Sequence, residues 1–220
     1  KYHFKIGFLN EVVTFETSLT KKQLFHWRLA RSIEKEYERA HNSLLIAKIA
    51  NHFSEAGETS TAFDYWIILA EHQYMREYER STSEAYQNAQ HIANVLKEQL
   101  TTKQLYALYI GWGEQALFQY DLTLADECFK KAILFGQRRS DPLLLGAGYS
   151  GLGSIFCRLG LPFQAQQYLD QAENFLQRDH WGEYVRVRTR KAEVMMNNAM
   201  LPESIAVLEA VITEYPHAES

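Results

Sequence analysis

The chain has 220 residues, of which 46% are hydrophobic, so it is long enough to form one large domain or two small ones around a full core. Its formal net charge of −4 argues against direct, non-specific binding to nucleic acid, and it lacks the apolar run of about 18 residues that a membrane-spanning helix needs. Its 4 Pro and 11 Gly are few for a β-sandwich or a loop-rich fold.

Amphipathic helices are predicted over most of the chain. From Leu19 to Tyr215 apolar residues recur three and four positions apart, and strand-like alternation is almost absent. Three capping-box patterns indicate helix starts, at residues 20–23, 81–84 and 101–104. Asp141, which a proline follows, indicates a fourth start. Gly57 and Gly160 stand where helices should end. We therefore expect an all-α fold.

A repeat of 40 residues is visible in the second half of the chain. Three pairs of small residues have this spacing: Gly113 and Gly153, Ala125 and Ala165, Ala132 and Ala172. Small residues allow two helices to cross closely, and large neighbours then fill the grooves beside the crossing. The large neighbours expected here are Trp112, Phe129, Leu152 and Leu169. The pattern predicts pairs of helices that pack in the same way in successive units.

This order of small and large residues resembles the tetratricopeptide repeat (TPR), although the period exceeds the usual length of about 34 residues. The resemblance covers residues 41–216 in about five units. It implies that residues 41–220 form antiparallel helix pairs in a right-handed superhelix, a TPR-like α-solenoid.

Residues 1–40 do not fit the repeat and are expected to form a separate N-terminal helical segment. The run from Tyr2 to Ile6, with Leu9, Val12 and His26, resembles a segment of large signalling ATPases. In LuxR-type regulators and ATPase-linked adenylyl cyclases, that segment follows a winged-helix module and precedes helical repeats. No G-x-x-x-x-G-K-[ST] motif occurs here. The resemblance implies a sensor or scaffold arm, with a preceding ATPase domain of the same chain as one partner.

Several shorter patterns resemble known kinds of site. Residues 146–151 read as a G-x-G-x-x-G motif, but the preceding Asp-Pro predicts a helix where a dinucleotide site needs a strand. The histidines lack metal-ligand spacing, and no nucleophile elbow or carboxylate pair is present. We therefore expect no catalytic residue, no metal and no cofactor. Cys128 and Cys157 suit core packing in a reducing cytoplasm.

The one basic cluster lies at Arg186, Arg188, Arg190 and Lys191. A solvated helix face is the first interpretation, and a site for an anionic ligand or partner is the alternative.

In TPR arrays the first helix of each pair lines a concave groove, and the resemblance assigns the partner-binding residues by register. They are Asn51, Glu55, Ile110, Glu114, Leu117, Phe118, Ser150, Ser154, Arg158, Arg186, Glu193 and Asn197. The carboxylate clamp of the chaperone-binding variants is missing, because Ala47 stands in place of its lysine. The implied function is non-catalytic: a cytoplasmic scaffold for a protein or peptide, as a regulatory part of a larger signalling or transcription-regulatory protein. The alternative is an effector-sensing domain that binds a small molecule or peptide in the same groove.

Overall fold

The computed structural model describes residues 18–74, 79–176 and 180–214. Throughout these ranges the regular structure is helical, and they contain no strand. The prediction of an all-α fold is therefore confirmed. The chain divides into two compact units, Lys1–Leu100 and Thr101–Ser220. None of the helices in the described part of the chain combines the length and the apolarity required to span a membrane.

The described residues of the first unit form four α-helices, each of which packs on the next. They are α1 (Leu19–Ala40), α2 (Ile46–Ala56), α3 (Thr59–Tyr74) and α4 (Glu79–Leu96). Phe53 on α2 and Phe63 on α3 lie in its core. The boundary predicted near residue 40 falls between α1 and α2, which pack against each other inside this unit. The residues that resemble the ATPase-linked segment, from Tyr2 to Val12, lie outside the described ranges.

The second unit contains three helix pairs. The first pair begins with α5 (Thr102–Leu105), a π-helical segment (Tyr106–Ile110) and α6 (Gly111–Phe118), and ends with α7 (Leu122–Arg139). The second pair is α8 (Pro142–Arg158) and α9 (Pro162–Phe175), and the third is α10 (Trp181–Asn197) and α11 (Leu201–Glu214). Each helix packs on the next, and α8 also contacts α6 and α10, the first helices of its two neighbouring pairs.

The same turn closes the pairs α2–α3, α6–α7, α8–α9 and α10–α11. In each, one residue takes the left-handed conformation: Gly57 at φ 82°, Tyr120 at 60°, Gly160 at 70° and Ala199 at 59°. The amide after it donates to the carbonyl five residues earlier, as when Leu161 N donates to Phe156 O at 2.9 Å. This is the Schellman arrangement, which satisfies the last carbonyls of a helix. The prediction that Gly57 and Gly160 end helices is confirmed. The same turn also forms at Tyr120 and Ala199, where no glycine is present.

The glycines of the 40-residue period lie at close helix crossings, as predicted. A Cβ added to Gly113 would lie 2.5 Å from the Phe129 ring, and one added to Gly153 would lie 2.8 Å from Leu169 Cγ. Both distances are shorter than van der Waals contact, so only glycine fits. Phe129 and Leu169 are buried, as the repeat pattern required of the large neighbours.

The predicted helix starts have mixed outcomes. The Thr101 hydroxyl accepts a hydrogen bond from Gln104 N at 3.2 Å, and the Gln104 side chain accepts one from Thr101 N. Asp141 accepts a hydrogen bond from Leu144 N at 3.0 Å. These two caps are therefore confirmed. The box at residues 20–23 is wrong, because α1 begins at Leu19 after Ser18. The box at residues 81–84 is also wrong, since α4 already begins at Glu79. The G-x-G-x-x-G stretch lies inside α8, so a dinucleotide site there is excluded by its helical backbone.

Candidate functional site

A cluster of polar side chains joins the first helices of the three pairs in the second unit. We call it the polar network. Its members are Tyr106, Glu114, Ser150, Glu183, Arg186 and Arg190. Tyr106 lies at the start of the π-helical segment, and Glu114 lies on α6, about two turns further along the chain. Because each helix contributes from one face only, the network lies where α6, α8 and α10 meet.

Arg190 is the centre of the polar network. Its Nη2 lies 2.6 Å from Glu114 Oε1 on α6, and its Nη1 donates to Ser150 Oγ on α8 at 2.6 Å. Ser150 is fully buried, and the two charged side chains are mostly covered. A guanidinium presents several donors in one plane, so a single arginine on α10 holds two neighbouring helices at once.

The outer part of the polar network pairs Tyr106 with Glu183 and Arg186. Tyr106 donates its hydroxyl to Glu183 Oε1, which also lies 2.9 Å from Arg186 Nη1. Burial, and then the negative charge of Glu183, raises the pKa of Tyr106 well above its ordinary value. The phenol is therefore a neutral donor at physiological pH. Glu183 Oε2 is buried and has no hydrogen-bond partner among the residues that the structure describes.

A second group of charges joins α9 to α10. Arg188 lies 2.9 Å from Glu173 and 3.0 Å from the Tyr184 hydroxyl, while Lys191 lies 2.7 Å from Asp170. The predicted basic cluster is thus paired with carboxylates of its own chain. The solvated-face interpretation is wrong for Arg188, Arg190 and Lys191, whose side chains are largely covered. The alternative, that this cluster binds an anionic ligand or partner, is no longer supported, because Arg188, Arg190 and Lys191 already pair with carboxylates within the fold.

Three predicted groove residues do not face a partner. Ile110 and Leu117 are 2% and 3% exposed, and Ser150 is fully buried. The prediction that they present side chains to a ligand is wrong. The physical reason is that the first helices pack against one another as well as against their own partners, so a wider arc of each helix is covered than a simple groove requires.

Other predicted groove residues are used within the chain. Glu114 and Arg186 belong to the polar network, and Ser154 donates its hydroxyl to the Ser150 carbonyl at 3.2 Å. Asn197 is exposed and its amide lies 3.9 Å from Cys157 Sγ. Glu193 is exposed on α10.

Asn51 and Glu55 are exposed on α2 in the first unit, so their side chains are accessible. Their place in a shared groove stays a prediction.

Exposed apolar and aromatic side chains gather where the first helices of the second unit end. We call this surface the turn edge. Its residues are Phe118, Tyr120, Arg158, Leu159, Leu161, Phe163, Met196 and Met200. The guanidinium of Arg158 lies 4.7 Å from the centre of the Tyr120 ring, which ties the end of α8 to the turn after α6. The contact of Asn197 with Cys157 does the same for α10 and α8.

The turn edge combines an accessible cation with accessible aromatic surface. Phe118 is 56% exposed and Tyr120 is 73% exposed. Arg158 is exposed and makes no ion pair with any residue that the structure describes. Of the predicted groove residues, Phe118 and Arg158 are therefore accessible on the turn edge. Tyr120 was missed, because the sequence shows no glycine to mark that turn, although its spacing of 40 from Gly160 would have located it.

The cysteines are free thiols. Cys128 is buried, and this burial raises the pKa of its thiol to about 12, so it is neutral and packs as a small apolar group. Over residues 18–74, 79–176 and 180–214, no three histidine, cysteine, aspartate or glutamate side chains are grouped as metal ligands would be.

Comparison with protein-family models gives no match, and no curated protein matches the chain. Among solved structures, the chain is similar to BtubC (BKLC) from P. vanneervenii, with a TM-score of 0.58 and 14% sequence identity. The superposition covers 93% of this chain and 78% of that one. At this identity the likeness concerns the fold alone.

Proposed function

We propose that this chain is a TPR-like interaction module that binds a protein segment through the turn edge of its second unit. It does no chemistry of its own in this proposal. The 40-residue period, the glycine crossings and the four equivalent turns support a repeat of helix pairs. Stacking such pairs with a constant rotation generates a superhelix, which is the arrangement we propose for the second unit.

The observation that carries the proposal is the stack of Arg158 on Tyr120 beside Phe118. Exposed arginine and aromatic side chains are enriched at the energetic centres of protein interfaces, because they bury a large area and still make polar contacts. Stacking also holds the guanidinium in one orientation before a partner arrives, which lowers the entropy lost on binding. The surface is therefore organised for a partner in the unbound protein.

The polar network supports this role by holding together the helices that carry the turn edge. It fixes α6, α8 and α10 relative to one another, so their ends present the turn edge as one surface. A small-molecule effector site is less well supported, because the charges that would bind an anionic effector are paired within the network. In a larger signalling protein, this module would serve as the scaffold arm, and an ATPase domain of the same chain is one partner we propose for it.

Site-specific photocrosslinking tests the proposal. A photoreactive residue replaces Tyr120 on the turn edge or, in a control protein, Leu134, which is exposed on α7. After irradiation in the source cell, we expect discrete protein adducts from position 120 and few from position 134. Phe118→Ala and Arg158→Glu should each reduce the adducts from position 120, and the double variant should be no better than the worse single one.

Unchanged melting of each variant shows that a lost adduct reflects the surface rather than the fold. Equal adducts from both positions, or adducts that neither substitution reduces, would exclude the turn edge as the binding surface. A metabolite that raises the melting temperature in proportion to its concentration, while no protein crosslinks, would favour the sensing alternative.

A further inference from the structure

A pair of histidines joins the N-terminal helix to the first helix pair in the first unit. His26 lies on α1 and His52 lies on α2, and their Nδ1 atoms are 3.0 Å apart. The ring centres are 5.2 Å apart. The distance between the ring centres exceeds the distance between the nitrogens by about twice the radius of an imidazole ring. Both nitrogens therefore lie close to the line that joins the ring centres. One ring therefore donates Nδ1–H directly to the lone pair of the other.

This head-on geometry separates a shared proton from a metal site. A metal ion about 2.0 Å from both nitrogens would have to lie about 1.3 Å off the line that joins them, away from the direction in which the two facing lone pairs point. A single proton fits between them. The pair can hold one N–H in the shared position, and a second proton on the facing nitrogen would place two N–H groups against each other.

The pair matters because α1 packs along α2 with only one fully buried side chain of its own, that of Ala30. Two of its other cross-helix contacts are polar or partly exposed: Tyr65 on α3 donates to Glu34 at 2.7 Å, and the guanidinium of Arg31 lies 5.6 Å from the Phe53 ring. An element with few buried apolar contacts opens more readily than the core, so one added repulsion changes its population noticeably.

We propose that His26 and His52 form a proton-sensitive latch, which holds α1 against the first helix pair near neutral pH and releases it in mild acid. This inference is independent of the turn edge and of its partner.

The charged surroundings agree with the latch. Burial lowers the pKa of His52, the charge of His26 lowers it further, and Glu55 on the same helix opposes them. The other charged groups nearby interact with each other rather than with the histidines. Arg31 forms an ion pair with Glu34 and also interacts electrostatically with Tyr65 on α3 and with Glu58. Lys22 and Lys48 stand one turn before His26 and His52 on their respective helices.

The sign of the pH effect follows from proton counting. In the released state each histidine has an ordinary pKa of about 6.5. Because the pKa of His52 is lowered when α1 is docked, the docked state binds fewer protons below that value. The docked state is therefore favoured above about pH 6.5, and its population decreases as the pH falls below that value.

Hydrogen exchange by mass spectrometry tests the latch on the whole chain. Protection factors are compared for peptides of α1 and of α8, at about pH 7.5 and about pH 5.5. In the wild type we expect protection of α1 to fall, by up to about tenfold per pH unit for one proton, while α8 keeps its protection. His52→Asn places an amide where Nδ1 was and cannot titrate, so the loss of α1 protection should shrink. His91→Asn, at an exposed position on α4, should behave like the wild type.

Equal loss of α1 protection in the wild type and in His52→Asn would overturn the latch, and so would no loss in the wild type. Nitrogen NMR of the wild-type imidazoles gives a test that needs no variant. We expect His52 to take up its proton below the ordinary histidine range. Uptake of that proton at or above about pH 6.5 would also overturn the proposal.

Discussion

Arg190 and Glu114 are 76 residues apart in the chain, and their Nη2 and Oε1 atoms lie 2.6 Å apart. The contact joins the first helix of one pair to the first helix of the pair after next, through a site where Arg190 also bonds Ser150 of the pair between. Three successive pairs are therefore held by one guanidinium. In a repeat array, contacts normally join only neighbouring units, so this residue couples a longer stretch of the second unit.

A double-mutant cycle at this pair should show substantial coupling. Glu114→Gln and Arg190→Met each leave a largely covered partner uncompensated, and we expect an interaction free energy of about 1–3 kcal/mol. The exposed pair Lys130–Asp126 on α7, at 2.6 Å, is the control, and its coupling should be far smaller because water and salt screen it. Chemical denaturation of the single and double variants measures both. A coupling at Glu114–Arg190 no larger than at the control pair would contradict a structural role for the network.

The close crossing at Gly153 should not tolerate a side chain. Gly153→Leu places atoms against Leu169 and the Ala165 carbonyl, which lies 3.2 Å from the position of an added Cβ. We expect a loss of about 1–3 kcal/mol or more in the free energy of unfolding. Gly182, in α10, has no atom within 4 Å of its added Cβ. Gly182→Leu should therefore be neutral or stabilising by up to about 1 kcal/mol, because leucine favours a helix over glycine. Equal melting temperatures for the two variants would contradict the crossing.

The crossings were predictable from sequence because a missing side chain leaves a direct mark at a fixed spacing. That mark predicts Gly113 and Gly153, and the proline that follows Asp141 predicts the cap there. Ile110 and Leu117 were misplaced because register predicts which face a residue occupies but not how wide an arc neighbouring pairs cover. The partners of Arg190 could not be predicted, since Glu114 and Ser150 are far away in sequence and a charge pattern does not show which carboxylate an arginine reaches.

The repeated turns provide a test of backbone strain. Ala199 holds the left-handed conformation that Gly160 holds one repeat earlier. A side chain disfavours that conformation, so Ala199→Gly should stabilise the protein by about 0.5–1 kcal/mol. Gly160→Ala should destabilise it by a similar amount, because no atom lies within 4 Å to compensate or clash. Denaturant midpoints that move in the same direction for both variants would show that the turns are not equivalent.

Glu173 should contribute a pH-dependent part of the stability. Burial raises its pKa, but hydrogen bonds from Lys191 and Arg188 outweigh burial, so the pKa is lowered overall. A lowered carboxyl pKa stabilises the fold above the unfolded value of about 4.3, and this contribution disappears as the pH falls through the folded value. Glu173→Gln should therefore be less stable than the wild type at neutral pH, and the difference should close in acid. A difference in unfolding free energy that stays constant from neutral pH into that acid range would contradict this.

The last prediction concerns the accessible cation of the turn edge. Once a partner is identified by crosslinking, Arg158→Glu should weaken its binding more than Arg158→Lys, because lysine keeps the charge but loses the planar stack on Tyr120. If the partner presents a carboxylate to Arg158, the wild-type affinity should fall as salt rises, and the glutamate variant should lose that dependence. Tyr120→Ala separates the two contributions: it keeps the charge and the salt dependence but frees the guanidinium to move, so binding should weaken mainly through faster dissociation. Arg139, on α7 outside the turn edge, provides the control for a general charge effect, and Arg139→Glu should change neither the affinity nor its salt dependence by as much. Titration of the purified partner at two salt concentrations measures all four variants. Equal losses at positions 139 and 158 would show that net charge, rather than the Arg158–Tyr120 stack, determines binding.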